Sequence, residues 1–140
     1  MKRKIIISIL LITTSFILFS QGMNSDSMNE HPDSGGIEDF SDLEDAQNRA
    51  ESGPVVLFFY ADWCPSCRTA MRSIRDGRDQ LKDLTILIVN YDKSAQLKRK
   101  YGVTYQHTFV QINPAGESLS TWNGGDLQNI FEHVQREEMR

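Results

Sequence analysis

The chain has 140 residues, of which 39% are hydrophobic, so it can bury one core and hardly two. Its 15 basic and 19 acidic residues give a formal charge of −4, which argues against a general nucleic-acid binder, since such proteins normally carry a basic face. Two cysteines are too few for a disulfide-rich scaffold or a four-cysteine zinc site. These counts predict one acidic domain with additional terminal segments.

The N-terminus, residues 1–22, has the three-part layout of a secretory signal peptide. Residues 2–4 are all basic, residues 5–19 form an uncharged apolar run, and Ser20 and Gly22 are small residues before a possible cleavage site. An uncleaved membrane anchor is the alternative, although the run is shorter than the roughly 20 residues that span a bilayer. We therefore expect an exported protein of the periplasm or the cell surface, where disulfides persist.

The remaining chain divides into a linker and a domain. Residues 23–36 are rich in Asn, Ser, Asp and Gly and predict a disordered linker, whereas residues 37–140 alternate between strand and helix patterns. Long helices between the first strands require parallel crossovers, and a tight hairpin requires an antiparallel pair, so we expect an α/β domain with a central mixed sheet and flanking helices. The predicted elements are an edge strand at 37–40, a helix at 41–51 capped by Ser41, a strand at 55–61, a helix from Pro65 interrupted near Gly77, a strand at 85–89, a helix at 94–101 ended by Gly102, a strand at 108–112, its hairpin partner at 117–122, and a last helix at 126–134 capped by Asp126.

Both cysteines lie where the strand at 55–61 meets the following helix. Cys64 falls at the helix N-terminus, where unpaired N–H groups and the helix dipole favour a thiolate, and Pro65 suits the first helical position. Cys67 lies on the same side of the first turn, close enough to form a disulfide with Cys64. We interpret Cys64 as an exposed nucleophile and Cys67 as the resolving thiol, with exchange through a mixed disulfide on Cys64. An inert disulfide or half of a metal site is the alternative.

The segment from Phe59 to Cys67, with the sequence FYADWCPSC, closely resembles the active-site segment of the thioredoxin family. Residues 100–103 resemble the segment before that family's cis-proline loop, and residues 116–117 resemble the hairpin turn after it. The resemblance covers residues 37–140 and implies a thioredoxin-like fold and an enzyme, a thiol-disulfide oxidoreductase of the extracytoplasmic branch.

The resemblance also implies the partners of such an enzyme. We expect it to act as a monomer on protein thiols and disulfides of exported proteins, without a cofactor and without nucleic acid. A redox partner, which could be membrane-bound, would recycle the cysteine pair. The predicted site consists of Cys64 and Cys67, supported by the side chains of Trp63, Pro65, Ser66, His107 and Thr108.

One departure from the family pattern is His107, which stands where the family has a proline before Thr108. A cis bond before a residue other than proline costs about 2.5–4 kcal/mol, so we expect a trans bond between Gln106 and His107. Since the family's loop holds the substrate peptide, this change affects substrate docking. The imidazole could stabilise a Cys64 thiolate, could complete a zinc, copper or iron–sulfur site with Cys64 and Cys67 in a carrier protein, or could face solvent.

Two further departures concern the redox chemistry. Phe58 occupies the position of a buried acid that helps many thioredoxins deprotonate the resolving cysteine, so proton transfer would need water or another group. The dipeptide between the cysteines, Pro65-Ser66, is similar to that of glutaredoxins and disulfide oxidases in having proline after the nucleophile. This similarity suggests a couple that is less reducing than that of cytoplasmic thioredoxins.

Overall fold

A five-stranded mixed sheet organises residues 35–136, the part of the chain that the computed structural model describes. The strand order is β1-β3-β2-β4-β5, in which β1, β2 and β3 are parallel while β4 is antiparallel to both β2 and β5. The mixed sheet with an edge strand and a hairpin agrees with the sequence prediction. The strands are β1 (Ile37–Asp39), β2 (Val55–Tyr60), β3 (Thr85–Asn90), β4 (Thr108–Ile112) and β5 (Ser118–Asn123).

Four helices cover the two faces of this sheet. Successive residues of β2 point to opposite faces of the sheet, and all five residues from Val55 to Phe59 are fully buried. Because both faces of the strand are covered, its sequence is a continuous apolar run. The first face packs against α2 and α4, and the second packs against α1 and α3. The helices are α1 (Leu43–Ala50), α2 (Pro65–Asp76), α3 (Ala95–Tyr101) and α4 (Leu127–His133), with a short 3-10 turn at Arg78–Gln80.

The helix ends show which sequence signals determine them. α2 is interrupted at Gly77, as predicted, and the position requires glycine because a Cβ there would collide with the side chain of Leu127. α3 ends at Gly102, also as predicted, in a left-handed conformation with φ of +66°. The predicted cap of α1 is wrong: Asp42, not Ser41, has the extended N-cap backbone and accepts the Asp45 N–H at 2.9 Å.

The predicted N-terminal segments lie outside the described residues. They are the signal peptide or anchor at 1–22 and residues 23–34 of the linker. Within residues 35–136, none of the helices has the length and apolar character needed to cross a membrane.

Candidate active site

The two cysteines lie in the first turn of α2, directly after the end of β2. Cys64 is the N-cap residue of the helix, with extended backbone angles, and Pro65 occupies the first turn. The Cys64 Sγ accepts the backbone N–H of Cys67 at 3.2 Å and lies 3.2 Å from the Ser66 hydroxyl. A sulfur in this position receives the unpaired N–H groups that a helix N-terminus offers, so the geometry favours a thiolate on Cys64.

Both cysteines are free thiols, and both are buried. Cys64 is only 2% exposed and Cys67 is fully buried, so the expectation of an exposed nucleophile is wrong. The Cys64 side chain folds back over the first helical turn, and both sulfurs join the hydrophobic cluster that contains Phe58 and Phe109. A reaction partner must therefore reach Cys64 over the exposed side chains of Trp63, Pro65 and Ser66 beside it.

The environment separates the acidities of the two thiols. Burial alone raises the pKa of Cys64, but hydrogen bonds from the side chains and backbones of Cys67 and Ser66 outweigh it and leave that pKa below its ordinary value. Burial raises the pKa of Cys67 to about 12, and its hydrogen bond to Cys64 adds to this shift, while backbone groups of Ala61 and His107 oppose it. One thiol of the pair thus ionises first, and the other holds its proton.

His107 lies in the loop between α3 and β4, whose backbone faces Cys67. The described residues contain no cis peptide bond, so the bond between Gln106 and His107 is trans, as expected. His107 is only 8% exposed, which excludes the solvent-facing alternative. Its Nε2 lies 2.9 Å from the carbonyl oxygen of Gly125, and its ring packs on Phe58 and Phe109 with centroids 5.7 and 5.6 Å away.

The predicted effect of His107 on the Cys64 thiolate stays a prediction. The hydrogen bond described for its ring goes to Gly125 rather than to a sulfur. The groups that shift the pKa of Cys64 belong to Cys67 and Ser66. An effect of His107 on the thiols therefore has its clearest route through the position of the loop backbone, which lies near Cys67.

The alternative metal site at Cys64, Cys67 and His107 is not formed. In residues 35–136, no three His, Cys, Asp or Glu side chains come close enough together to hold a metal ion. Cys64, Cys67 and His107 therefore do not make the three-ligand set proposed from the sequence. The physical reason is that the imidazole bonds to the Gly125 carbonyl oxygen through Nε2 and packs edge-on against Phe109.

The other predicted supporting residues occupy different surroundings. Trp63 is 57% exposed, and its indole N–H donates to the carboxylate of Asp92 at 2.9 Å. Thr108 is buried at the start of β4, where its hydroxyl donates to the Tyr105 carbonyl oxygen at 2.8 Å. Trp63 thus borders the entrance to Cys64, whereas Thr108 stabilises the loop between α3 and β4.

A hollow next to the cysteines offers room for a partner. It has a volume of about 360 Å³ and lies between the first turn of α2 and the start of α4. Sequence reasoning missed the α4 side of this hollow, because Gly125 and Asn129 carry no signal beyond a turn and a helix start. The lining residues are Ser66, Thr69, Ala70, His107, Gly125, Asp126 and Asn129.

Phe58 lies in the core beneath this site and is fully buried. Its ring stacks on Phe109 with centroids 4.3 Å apart and meets Tyr60 edge to face at 5.8 Å. The position that the resemblance assigns to a buried acid is therefore part of an aromatic stack. A proton leaving Cys67 cannot use a carboxylate at this position.

A central mixed sheet with a strand–Cys-x-x-Cys–helix site defines a thioredoxin-like protein, and comparisons with known proteins agree. The thioredoxin family model matches residues 36–136. Thioredoxin H5 of Oryza sativa subsp. japonica is 32% identical over 93 residues, which cover 64% of this chain and 69% of the rice protein. The chain belongs to the thioredoxin family, and it is a thiol-disulfide oxidoreductase.

Solved structures give the same result for the fold. The reduced thioredoxin pre-protein of Schistosoma mansoni has a TM-score of 0.59 and 27% identity, over 71% of this chain and 94% of that chain. Trxlp from Edwardsiella tarda has a TM-score of 0.57 and 27% identity, over 68% of this chain and 93% of that chain. The predicted thioredoxin-like fold is confirmed.

Proposed function

We propose that this protein is an exported oxidoreductase that exchanges a Cys64–Cys67 dithiol or disulfide with the cysteines of other exported proteins. The observation that carries the proposal is the unequal pair of thiols at the start of α2. The pKa of Cys64 lies below its ordinary value, and burial with the hydrogen bond to Cys64 raises that of Cys67 to about 12. An attacking thiolate beside a protonated partner is the arrangement that disulfide exchange requires.

In the reducing direction, the Cys64 thiolate attacks one sulfur of a substrate disulfide. A bond forms between Cys64 and that sulfur, the substrate S–S bond breaks, and the departing substrate thiolate takes up a proton. Cys67 then loses its proton and attacks Cys64, which releases the second substrate thiol and leaves a Cys64–Cys67 disulfide. The substrate gains two electrons and the enzyme loses two, so a redox partner must restore the dithiol, and the oxidising direction reverses each step.

The proton of Cys67 determines how fast the second half of this exchange proceeds. Because Phe58 fills the position of a buried acid, water that enters the hollow beside Ser66 and His107, or a substrate group, would accept that proton. The stabilised Cys64 thiolate favours the reduced pair over the disulfide. We therefore expect a reduction potential between about −270 mV, as in a reductant, and about −120 mV, as in an oxidant.

Export is supported by the pattern of residues 1–22 alone, with its basic start, apolar run and small residues before a cleavage site. Expression of the full chain in a host with a secretory pathway tests it. N-terminal sequencing of the extracytoplasmic fraction should begin at residue 23 if the signal is cleaved. A full-length chain in the membrane fraction would favour the anchor, and a full-length chain in the cytoplasm would contradict export.

A trapping experiment tests the exchange itself. Cys67→Ser leaves the mixed disulfide on Cys64 without a resolving thiol, so partner proteins should accumulate in complexes that a reductant dissolves. Cys64→Ser is the matched control and should trap none through this route. The proposal fails if Cys67→Ser traps no partner and the wild type neither reduces nor oxidises a disulfide-bonded model protein.

A further inference from the structure

The loop that faces Cys67, residues 105–108, is fastened to the end of β5 by one side chain. Asn123 is the last residue of β5, and its Nδ2 lies within hydrogen-bond distance of three acceptors in this loop. It donates to the carbonyl oxygen of Gln106 at 3.0 Å and of His107 at 3.3 Å, and to the hydroxyl of Thr108 at 3.0 Å. One amide therefore holds three successive residues of the loop.

Further bonds join the same two segments around His107. The Gly124 N–H donates to the His107 carbonyl oxygen at 2.7 Å, and the His107 Nε2–H donates to Gly125 at 2.9 Å. The His107 N–H donates to the Phe59 carbonyl oxygen at 2.9 Å, which fixes the loop to the end of β2. The loop is thus tied both to the strand that leads to the cysteines and to the segment before α4.

These hydrogen bonds stabilise an unfavourable backbone conformation at His107. His107 has a φ of +61°, in the left-handed region that only a few per cent of residues other than glycine adopt, histidine more often than most. A residue keeps such a conformation only when its surroundings require it. The conformation therefore depends on the hydrogen bonds that Asn123 and Gly124 donate to the His107 carbonyl oxygen and on the one that its Nε2–H donates to Gly125.

We propose that Asn123 is a positioning residue for disulfide exchange: its amide holds residues 106–108 against the cysteine pair and so keeps the substrate-binding hollow in shape. The hollow has His107 on its wall, and its other sides belong to α2 and the start of α4. This inference rests on the proposed function, since it concerns the substrate of the same site. Asn123 does not act directly on the Cys64 sulfur, because the groups that shift the pKa of Cys64 belong to Cys67 and Ser66.

The test compares Asn123→Ala and Asn123→Asp with Asn113→Ala. The aspartate variant keeps the shape of the side chain but loses the donor N–H groups. Asn113 is a matched control, because its amide donates to the Glu117 carboxylate in the turn at the other end of the same hairpin. The readouts are kcat and KM for a disulfide-bonded model protein, the rate of Cys64 alkylation by iodoacetamide, and the amide hydrogen exchange of His107 and Gly124.

Both Asn123 variants should raise KM by about three- to tenfold, which corresponds to the loss of one hydrogen bond of ordinary net strength. Their rate of Cys64 alkylation should stay within about twofold of the wild type, since the groups that shift the pKa of Cys64 are unchanged, and kcat should change less than KM. The amides of His107 and Gly124 should exchange faster, and Asn113→Ala should change none of these readouts. Faster exchange in only the Asn123 variants would show that the amide, and not general stability, holds the loop.

An unchanged KM in both Asn123 variants would overturn the inference. A change in the rate of Cys64 alkylation as large as the change in KM would also overturn it. The inference would also be overturned if the amide hydrogens of His107 and Gly124 exchanged as fast in Asn113→Ala as in the Asn123 variants. If the wild type itself shows no exchange with protein disulfides, the proposed function fails instead. In that case the amide exchange of His107 and Gly124 still decides whether Asn123 holds the loop.

Discussion

Two cysteines three residues apart acquire different acidities because they occupy different places in one helical turn. The sulfur of Cys64 caps the helix and accepts hydrogen bonds, whereas Cys67 lies inside the first turn and donates to its neighbour. Burial raises the pKa of both thiols and is the main reason that the pKa of Cys67 reaches about 12. At Cys64 the hydrogen bonds that its sulfur accepts from Cys67 and Ser66 outweigh burial, and so the two pKa values move apart.

At the scale of single residues, we predict that Ser66→Ala raises the pKa of Cys64. The Ser66 hydroxyl lies 3.2 Å from the sulfur, and a hydrogen bond to a thiolate favours the charged form. The rate of Cys64 alkylation by iodoacetamide, followed against pH, should therefore reach its half-maximum at a higher pH in the variant. Thr69→Ala is the control, because that hydroxyl donates to the Pro65 carbonyl oxygen at 3.2 Å. Equal midpoints in Ser66→Ala and the wild type would contradict the prediction.

The sequence is enough to find Cys64 and Cys67, because a strand, a proline and a helix surround them in a recognisable order. It does not predict the burial of Cys64, which depends on how a capping side chain turns back over its helix. It also finds His107 by its departure from a family pattern, yet the direction of the ring depends on Gly125, 18 residues later. Asn123 carries no local signal at all, since its partners come from another loop.

At the scale of secondary structure, the start of α1 gives a test between two neighbouring capping residues. Asp42→Ala should lower the free energy of unfolding by about 1 kcal/mol, because its carboxylate accepts the Asp45 N–H that the helix leaves unpaired. Ser41→Ala should have a clearly smaller effect, since its hydroxyl contacts only the Asp45 side chain. Urea denaturation measures both variants, and an equal or larger loss for Ser41→Ala would favour the cap predicted from the sequence.

The boundaries of the elements follow closely from the sequence where steric effects decide them. Gly102 ends α3 because a left-handed residue is needed there, and residues 55–60 of the apolar run form β2 because both faces of that strand are covered. Steric effects do not decide whether Ser41 or Asp42 caps α1. Both residues are good caps, and the packing of Leu43 and Ala46 on the sheet decides the register of the helix and with it the cap.

At the scale of the whole molecule, one buried side-chain amide joins the sheet to the segment that follows α4. Gln111 lies in the middle of β4 and is fully buried. Its Nε2 donates to the Gln135 carbonyl oxygen at 2.6 Å, and its Oε1 accepts the Gln135 N–H at 2.7 Å. The chain after α4 is thereby fixed to the sheet, and the ion pair between Arg136 and Asp83 holds the next residue at 2.6 Å. No periodicity in the sequence predicts this contact, because a single glutamine in a strand is usually an exposed side chain.

We predict that Gln111→Glu makes stability depend on pH. A protonated carboxyl can imitate the amide, donating to the Gln135 carbonyl oxygen and accepting its N–H, but a carboxylate at this buried position loses the donor and must be desolvated. Burial raises the folded-state pKa of such a carboxyl above its unfolded value, so stability is highest below the unfolded pKa. It falls as the pH rises towards the folded pKa, by about 1.4 kcal/mol for each unit between the two values.

The measurement is the free energy of unfolding in urea at pH 4 and pH 8, for the wild type, Gln111→Glu and Gln96→Glu. Gln96 is exposed on α3, so a charge there stays in solvent at both pH values. The deficit of Gln111→Glu relative to the wild type should be clearly larger at pH 8, while Gln96→Glu should stay close to the wild type throughout. A deficit of the same size at both pH values would show that the Gln111 side chain is not held in a buried pair with Gln135, and that the end of α4 is fixed by other contacts.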